Sequence, residues 1–488
     1  MKKILEFIKG MFTWKRMVGS LLLILVVLFI VLSFFQSKQL DDYVSLDRLS
    51  NTIDGYVSEQ YNSPLYSDYI DGFQQNLSNQ IERKVEQEYI DGILVDENNS
   101  EYGKYFDTAE FNEAFLLNNE NDVEINHNAL RDGLFRISLN YMIIDPAIDA
   151  VQIDLKINGE TPFYESQTLV LPSEWQFETN IFTKDRYNND IQPRSYRPEV
   201  WQSVELKDYK GMYQSNYQFF LQPGDTISLS YINAGILVES ISYVTENEIP
   251  SYQEYISGFQ NEKRVEELIQ ISARDIYTRS DPSIRLRVEQ DPSNLYYGTQ
   301  ELKLNTIFGD SWENGGQTVS YQIITNEAGL YNLSFKYRQY LLKDMPSFRR
   351  IYINDEIPFS EFNNVSFPHT MSFVNRTLRD KSGNPYMVYL NKGANTIKLE
   401  AVTSPYKNSI ETLKYIMNGI QNLSLNIKRY TSGGTDRYRD WDISVYFPEA
   451  ENTIKQWASI LDGVYLDLLS VASSDSPSEL ANLKVSRD

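Results

Sequence analysis

The 488-residue sequence contains no cysteine and only two histidines, His127 and His369. The absence of cysteine excludes disulfide bonds, thiol chemistry and lipid attachment through a cysteine. Two isolated histidines leave almost no material for Ser–His or metal–His catalytic sites. The 67 acidic residues show no local pattern that singles out the carboxylate pair of a glycoside hydrolase. The residues therefore predict a protein that is not an enzyme and requires no cofactor.

Positive charge is also scarce, because 45 Lys and Arg residues face 67 Asp and Glu residues, for a formal net charge of −22. The first sixteen residues carry five positive charges and one negative charge, a net +4, so the rest of the chain carries −26. Such an acidic body repels nucleic acid and anionic lipid, which argues against both as partners of that body. The same composition suits neutral ligands and offers oxygen ligands for calcium.

Long uncharged runs are absent except for residues 17–35. As a helix rising about 1.5 Å per residue, this run matches the hydrocarbon thickness of a bilayer. Because positive charges precede it and Asp41 and Asp42 follow it, the positive-inside rule places the N-terminus in the cytoplasm. Residues 33–38 lack a small-x-small cleavage site, which disfavours the alternative of a cleaved signal peptide. We predict a single-pass anchor in the cell membrane with the bulk of the chain extracellular.

An internal repeat organises the remainder. Residues 64–74 recur as residues 250–260, and a second match pairs Gly133 with Gly329 and Asn158 with Asn354 at one constant offset. Between Asp190 and Tyr217 the first copy carries an insertion of about 26 residues, and insertions belong in loops, where binding specificity usually lies. In both copies, apolar and polar residues alternate over short segments separated by turn residues, which is typical of β-strands.

The sequence therefore predicts a mainly β protein with two tandem jelly-roll or β-sandwich modules. A helical lead-in is expected before each, around residues 66–89 and 252–277. After a hinge at residues 432–435, a helical stripe is formed by Ile454, Trp457, Leu461, Val464, Leu468 and Val471, and a second helix begins near residue 476. The predicted parts are a basic cytoplasmic N-terminus (1–16), the transmembrane anchor (17–35), a helical stalk (36–62), the first module (63–248), the second module (249–430) and a C-terminal helical connector (431–488).

Landmarks in the second copy resemble those of β-jelly-roll carbohydrate-binding modules. They are residues 288–289 (VE), 312–316 (WENGG), 328–337 (AGLYNLSFKY), 353–355 (IND) and 393–399 (GANTIKL). The first copy shows a more degenerate version of the same order. This resemblance implies binding of carbohydrate.

A closer resemblance covers nearly the whole chain. It is to the N-terminal extension of large, membrane-attached solute-binding proteins of bacterial sugar ABC importers. The matching segments are residues 185–191 (DRYNNDI), 201–202 (WQ), 430–434 (YTSGG), 438–441 (YRDW) and 446–448 (YFP). In those proteins the helical tail leads into a two-lobed α/β solute-binding domain, so we expect such lobes on a separate chain or in a longer form. An importer permease is the other candidate partner.

Sugar binding needs an exposed aromatic face beside planar polar groups. The residues of both copies that offer these groups are Asp185, Arg186, Asn189, Arg194, Tyr196, Trp201, Trp312 and Tyr386. The alternative for each aromatic residue is packing in a sandwich core, and Trp201 in particular could anchor its loop. By resemblance, Asp96 and Glu289 occupy an acidic position that could hold a structural calcium ion. Two other functions remain open, a structural spacer and an adhesin-like surface protein without sugar binding.

Overall fold

A computed structural model describes residues 63–73, 83–107, 109–127, 132–145, 150–244, 249–380, 382–431, 441–472, 474 and 477–487. The predicted membrane anchor (17–35), stalk (36–62) and hinge (432–435) lie outside these residues. Among the described helices, none is long and apolar enough to cross a membrane.

The first copy folds into two large antiparallel sheets and two separate strand pairs. Its strands are β1 (Arg83–Lys84), β2 (Ile90–Asp91), β3 (Ile93–Asp96), β4 (Glu113–Leu117), β5 (Val123–Asn126), β6 (Gly133–Ile143), β7 (Val151–Ile157), β8 (Leu169–Leu171), β9 (Gln176–Phe177), β10 (Thr183–Lys184), β11 (Asp190–Ile191), β12 (Ser195–Tyr196), β13 (Gln202–Glu205), β14 (Gln218–Leu221), β15 (Thr226–Tyr231) and β16 (Ile236–Val244). The separate pairs are β10–β11 and β9–β12. One large sheet follows the order β13–β6–β16–β4–β3, with β1 on β16 and β14 on β6, and the other follows β2–β5–β15–β7–β8.

Alternation along the central strands builds the core between these sheets. Successive side chains of a strand point to opposite faces, so every second residue of β6 faces inward. The inward residues of β6, β7 and β15 share one buried cluster: Phe135, Ile137, Leu139, Tyr141, Ile153, Leu155, Ile227 and Leu229. Two sheets packed face to face in this way make a sandwich, as the alternating pattern predicted.

The second copy repeats this plan with shorter strands. They are β17 (Thr278–Arg279), β18 (Leu286–Arg287), β19 (Thr306–Ile307), β20 (Thr318–Thr325), β21 (Gly329–Asn332), β22 (Ser334–Tyr337), β23 (Ser347–Ile353), β24 (Val365–Phe367), β25 (Val374–Thr377), β26 (Met387–Leu390) and β27 (Gly393–Val402). A five-stranded sheet runs β17–β20–β27–β23–β24, and the pairs β21–β26, β22–β25 and β18–β19 are separate.

The sequence repeat corresponds to repeated contacts. Asn158 and Asn354 both adopt the left-handed conformation, with φ of 53° and 51°, which asparagine tolerates better than most residues. The Asn158 N–H donates to the Thr226 carbonyl, and the Thr226 N–H donates back to Asn158 Oδ1, at 2.8 and 2.9 Å. Asn354 and Thr396 make the same two bonds at 2.9 and 2.8 Å. The turn at these positions is therefore equivalent in both copies.

The helical lead-ins are shorter than the sequence pattern predicted. Helix α1 (Tyr66–Asp71) and helix α2 (Tyr252–Ser257) each span six residues. Beyond α2 the chain leaves the helical conformation and pairs with β21, where the N–H of Leu330 donates to the carbonyl of Lys263 at 2.9 Å. The apolar side chains that follow, Val265, Ile269 and Ile271, pack on the second core. Tertiary packing thus overrides the local helical preference that the pattern expressed.

The C-terminal region is helical, with α3 (Lys407–Tyr430), α4 (Ile443–Tyr446), α5 (Ala450–Val471) and α6 (Ala481–Arg487). Helix α5 confirms the predicted stripe in its middle, where Trp457, Leu461 and Val464 are buried, whereas Ile454 at its start is 53% exposed. Helix α3 was not predicted, and it lies in the range 249–430 that the sequence assigned to the second module. It packs antiparallel to α5, with Ser409 bonded to Asp467 and the Trp457 ring against Gly419.

Candidate functional site

The insertion of the first copy does not form a free loop, and from here on its name includes the segment that leads into it from residue 175. Asp185 holds the turn of the β10–β11 hairpin, because its Oδ1 accepts hydrogen bonds from the backbone N–H groups of Tyr187 and Asn189 at 2.8 and 2.9 Å. These hydrogen bonds lower the pKa of the Asp185 carboxyl, and the bond from the Asn189 N–H has the largest effect. The Arg186 guanidinium lies 4.6 Å from the centre of the Tyr187 ring. Two of the predicted ligand residues, Asp185 and Asn189, therefore serve the turn itself.

The tip of this hairpin docks on the second module. The N–H of Leu302 donates to Asn189 Oδ1 at 2.8 Å, and the N–H of Asp190 donates to the Leu302 carbonyl at 2.9 Å. The Asp190 carboxylate also accepts the N–H of Leu304 at 2.9 Å. These bonds satisfy backbone groups across the boundary, as strand pairing would.

The base of the insertion joins the second module through a reciprocal backbone pair. The N–H of Trp175 donates to the carbonyl of Arg279 at 2.8 Å, and the N–H of Arg279 donates back at 3.0 Å. The Arg279 guanidinium is buried and lies 4.0 Å from the centre of the Phe177 ring. Phe177 belongs to one hydrophobic cluster with Ile276, Ile284, Leu286, Leu304 and Val319 of the second module.

Arg194 and Tyr196 stay on the surface of the insertion. Strand β12 pairs with β9, and the carbonyl of Arg194 accepts the N–H of Glu178 at 2.9 Å. The Tyr196 hydroxyl donates to Gln176 Oε1 at 3.0 Å while 41% of the residue remains exposed.

Trp201 packs on the first sandwich. Its indole Nε1 donates to the carbonyl of Tyr105 at 2.9 Å. The ring makes an edge contact with Phe111, at 4.7 Å between centroids and 84° between planes, and a tilted contact with Phe106 at 5.9 Å. These contacts match the packing alternative for Trp201.

Trp312 and Tyr386 also make extensive packing contacts. The Trp312 Nε1 donates to the Gln317 carbonyl at 3.1 Å, and the Arg349 guanidinium lies 4.3 Å from the Trp312 ring centre. Tyr386 packs edge-on against Tyr252, with centroids 4.7 Å apart, and burial raises the pKa of its hydroxyl. Both side chains are partly buried against the second core.

The two candidate calcium ligands lie in different modules. Asp96 Oδ1 accepts the N–H of Asn98 at 3.1 Å, within its own turn. Glu289 pairs with Arg338 at 2.7 Å and with Arg287 at 3.4 Å, so a cation there would have to displace two guanidinium groups. Among the described residues, no group of three or more His, Asp or Glu side chains could hold a metal ion. Structural calcium stays a prediction.

Sequence reasoning missed a charge cluster at the junction of the modules. Lys207 of the insertion lies 3.1 Å from both carboxylate oxygens of Glu400, and Arg350 Nη1 lies 3.5 Å from Glu400 Oε2. The Tyr352 hydroxyl donates to the same carboxylate. Burial raises the pKa of Glu400, but Lys207 and Arg350 outweigh that effect and leave its pKa lowered. No local motif could reveal this cluster, because Lys207 and Glu400 are 193 residues apart.

Glycines let the two backbones meet beside this cluster. The N–H of Thr403 donates to the carbonyl of Gly211 at 2.8 Å. A Cβ on Gly315 would collide with the carbonyl of Lys210, and one on Gly316, whose φ is +82°, would collide with the carbonyl of Tyr209. Helix α3 joins the same junction, since Lys407 Nζ lies 4.0 Å from the ring centre of Tyr213. The insertion thus holds the first module against the second module and its helical extension.

Comparison with known proteins identifies the helical region. Residues 408–488 match the model of the bacterial solute-binding protein four-helix bundle domain. The match begins inside α3, the helix that packs on α5. No curated protein matches the chain significantly.

Several solved structures of carbohydrate-active proteins show distant likeness. A family 35 carbohydrate-binding module from Clostridium thermocellum is 18% identical, over 28% of this chain and 87% of that chain, with a TM-score of 0.20. Tandem family 51 modules from Streptococcus pneumoniae are 9% identical, over 66% and 95%, with a TM-score of 0.16. The catalytic unit of an α-1,3-glucanase from Streptomyces thermodiastaticus is 12% identical, over 36% and only 29%, with a TM-score of 0.21.

Proposed function

We propose that this chain is a membrane-anchored, extracellular carbohydrate-binding protein that acts as the accessory part of the solute-binding component of a bacterial sugar ABC importer. The observation that carries the proposal is the match of residues 408–488 to a helical domain of bacterial solute-binding proteins. Helix α3 of that domain follows β27 of the second module after four residues, at 403–406. The β modules are therefore joined closely to the region that relates this chain to solute uptake.

The acidic, cysteine-free composition supports an extracellular binding role. A body of charge −26 (the −22 of the chain less the +4 of its first sixteen residues) is soluble and repels polyanions, so neutral saccharides are the favoured ligands. The insertion, the candidate for sugar binding on sequence grounds, is largely committed to the junction. We therefore propose the second module, rather than the insertion, as the main ligand surface.

A structural spacer is the second candidate function. It is favoured by the buried contacts at the junction, such as the Lys207–Glu400 pair, because they would restrict motion between the two modules. A spacer would hold that region at a fixed distance from the bilayer without binding sugar.

Transport assays separate the two functions. Cells with and without the chain are compared for uptake of radiolabelled neutral oligosaccharides, and the full chain is tested for co-purification with importer permease subunits. Slower uptake of at least one oligosaccharide in cells without the chain, together with co-purification, supports the accessory role. If uptake of every oligosaccharide is unchanged and no permease subunit co-purifies with the chain, the accessory role is contradicted and the structural spacer is supported.

The topology is tested on intact cells. External protease is expected to remove the region after residue 41 while residues 17–35 stay in the membrane fraction. A soluble secreted form beginning near residue 38 would show that the segment is a cleaved signal peptide.

A further inference from the structure

The pair β22–β25 of the second module presents one face to solvent. Phe335 and Tyr337 of β22 turn inward and contact Phe367, with ring centroids 5.9 and 5.0 Å away. Lys336, which lies between them on the strand, points the other way. Lys336 and Asn375, its direct partner across the two strands, are exposed. The outward row thus begins with polar side chains that are available to solvent.

Aromatic rings continue this row beyond the strand ends. The Arg338 guanidinium lies 4.7 Å from the ring centre of Phe373 and 4.8 Å from that of Tyr340. Tyr340 is 40% exposed. We call the set Lys336, Arg338, Tyr340, Phe373 and Asn375 the outer strip.

An acidic partner fixes the guanidinium within the outer strip. Arg338 Nη2 lies 2.7 Å from Glu289 Oε1, and the two side chains are 23% and 15% exposed. Because the ring contacts and the ion pair restrain Arg338 together, its donors are positioned before any ligand arrives. The pair places a donor and an acceptor side by side, and the guanidinium of Arg287 lies 3.4 Å from the same carboxylate oxygen.

The equivalent surface of the first copy is closed. At the offset of the repeat, Arg338 corresponds to Met142, which is 2% exposed. Met142 belongs to a hydrophobic cluster with Leu116 and Leu237, and Trp201 packs on that cluster. The two copies therefore share a scaffold but differ at this surface, which is polar and open in the second copy alone.

We propose that the outer strip of the second module binds neutral saccharide. A pyranose has an apolar C–H face and a rim of hydroxyl groups that both donate and accept hydrogen bonds. Tyr340 supplies the ring for the C–H face, the Arg338–Glu289 pair binds two adjacent hydroxyls, and Asn375 extends the polar contacts along the strip. This site deepens the function proposed above and rests on it.

Binding is tested with the full chain in a non-ionic detergent that lacks a sugar headgroup. The probes are maltohexaose, cellohexaose, xylohexaose and mannohexaose, followed by calorimetry, with polygalacturonate as the anionic comparison. At least one neutral hexasaccharide is expected to bind. Tyr340→Ala is expected to raise its Kd about tenfold or more, as loss of a central aromatic contact does, with an unchanged melting temperature.

Matched variants assign the site. Arg338→Gln and Glu289→Gln are each expected to weaken binding. Tyr187→Ala removes an exposed tyrosine that also lies beside a guanidinium, that of Arg186, but in the insertion, and it is expected to leave the Kd unchanged. If Tyr187→Ala loses binding and Tyr340→Ala does not, the outer strip is not the binding site, although the chain still binds sugar. A wild-type chain that binds none of the neutral probes would overturn both.

Discussion

Lys207 of the first module and Glu400 of the second form an ion pair across their junction, with the ammonium nitrogen 3.1 Å from each carboxylate oxygen. Glu400 is fully buried and also faces Arg350, while Lys207 retains partial exposure. A buried carboxylate is tolerated only when charges and hydrogen bonds compensate its lost hydration. The two modules are therefore stable together in this arrangement because each supplies part of the compensation.

Removing the buried carboxylate is expected to destabilise the junction. Glu400→Gln leaves Lys207 and Arg350 without their counter-charge, and breaking a buried pair in this way costs about 3–5 kcal/mol. Chemical denaturation of the full chain measures the effect. The control is Glu327→Gln, which breaks the surface pair with Lys263, whose side chains are 55% and 65% exposed, and which should change stability by no more than about 0.5 kcal/mol. Equal effects of both variants would contradict a stabilising role for the junction pair.

The same pair predicts a difference in acid stability. The pKa of Glu400 is lowered in the folded protein, so the unfolded chain binds more protons between the folded pKa and the unfolded value of about 4.3. The stabilisation is complete above the unfolded value and is lost as pH falls through the folded pKa. Melting curves from pH 7 to pH 3 should therefore show the gap between wild type and Glu400→Gln narrowing on the acid side. A constant gap would show that Glu400 has no lowered pKa.

Trp201→Ala is expected to lower the melting temperature rather than to abolish sugar binding. The change removes the contacts with Phe106 and Phe111 and costs about 3 kcal/mol, the lower end for loss of a packed tryptophan. Trp201→Phe keeps most of the packing and loses only the bond to the Tyr105 carbonyl, about 1 kcal/mol. Thermal melting and calorimetry with the hexasaccharides measure both variants. Lost binding at an unchanged melting temperature would make Trp201 a ligand residue.

Two glycines with similar backbones test the close approach at the junction. Gly316 has φ +82° and would place a Cβ against the Tyr209 carbonyl, whereas Gly383 has φ +86° and nothing within 4 Å. Alanine at either site is destabilised by the left-handed conformation by about 1 kcal/mol. Only Gly316→Ala must also move its backbone away from that of Tyr209. We expect the larger stability loss for Gly316→Ala, with a broader distance between spin labels on the two modules. If the two variants lose the same stability and the spin-label distance is unchanged, the junction accommodates the added Cβ without a loss of free energy.

Local patterns in the sequence predicted much of the secondary structure. The alternation at residues 134–141 and 396–402 is that of β6 and β27, and the stripe from Trp457 to Val471 lies in α5. These features follow from short-range periodicity, which a strand or helix must show if one face is to be buried. Helix α3 was missed, and its residues were included in the predicted second module (249–430). The lead-in helices were predicted too long, because the apolar residues after α2, such as Val265 and Ile269, pack on the second core without forming a helix.

The sequence by itself determined the repeat, the alternating strands of both copies and the helical stripe at the C-terminus, because each depends on the pattern of residues close together in the chain. Only the tertiary structure decided the role of the insertion, whose hairpin and lysine bond to partners about a hundred or more positions away, such as Leu302 and Glu400. It also decided that Met142 is 2% exposed whereas the side chain of its repeat equivalent, Arg338, is 23% exposed. Burial and charge compensation depend on which distant segments meet, and no local spacing of residues carries that information.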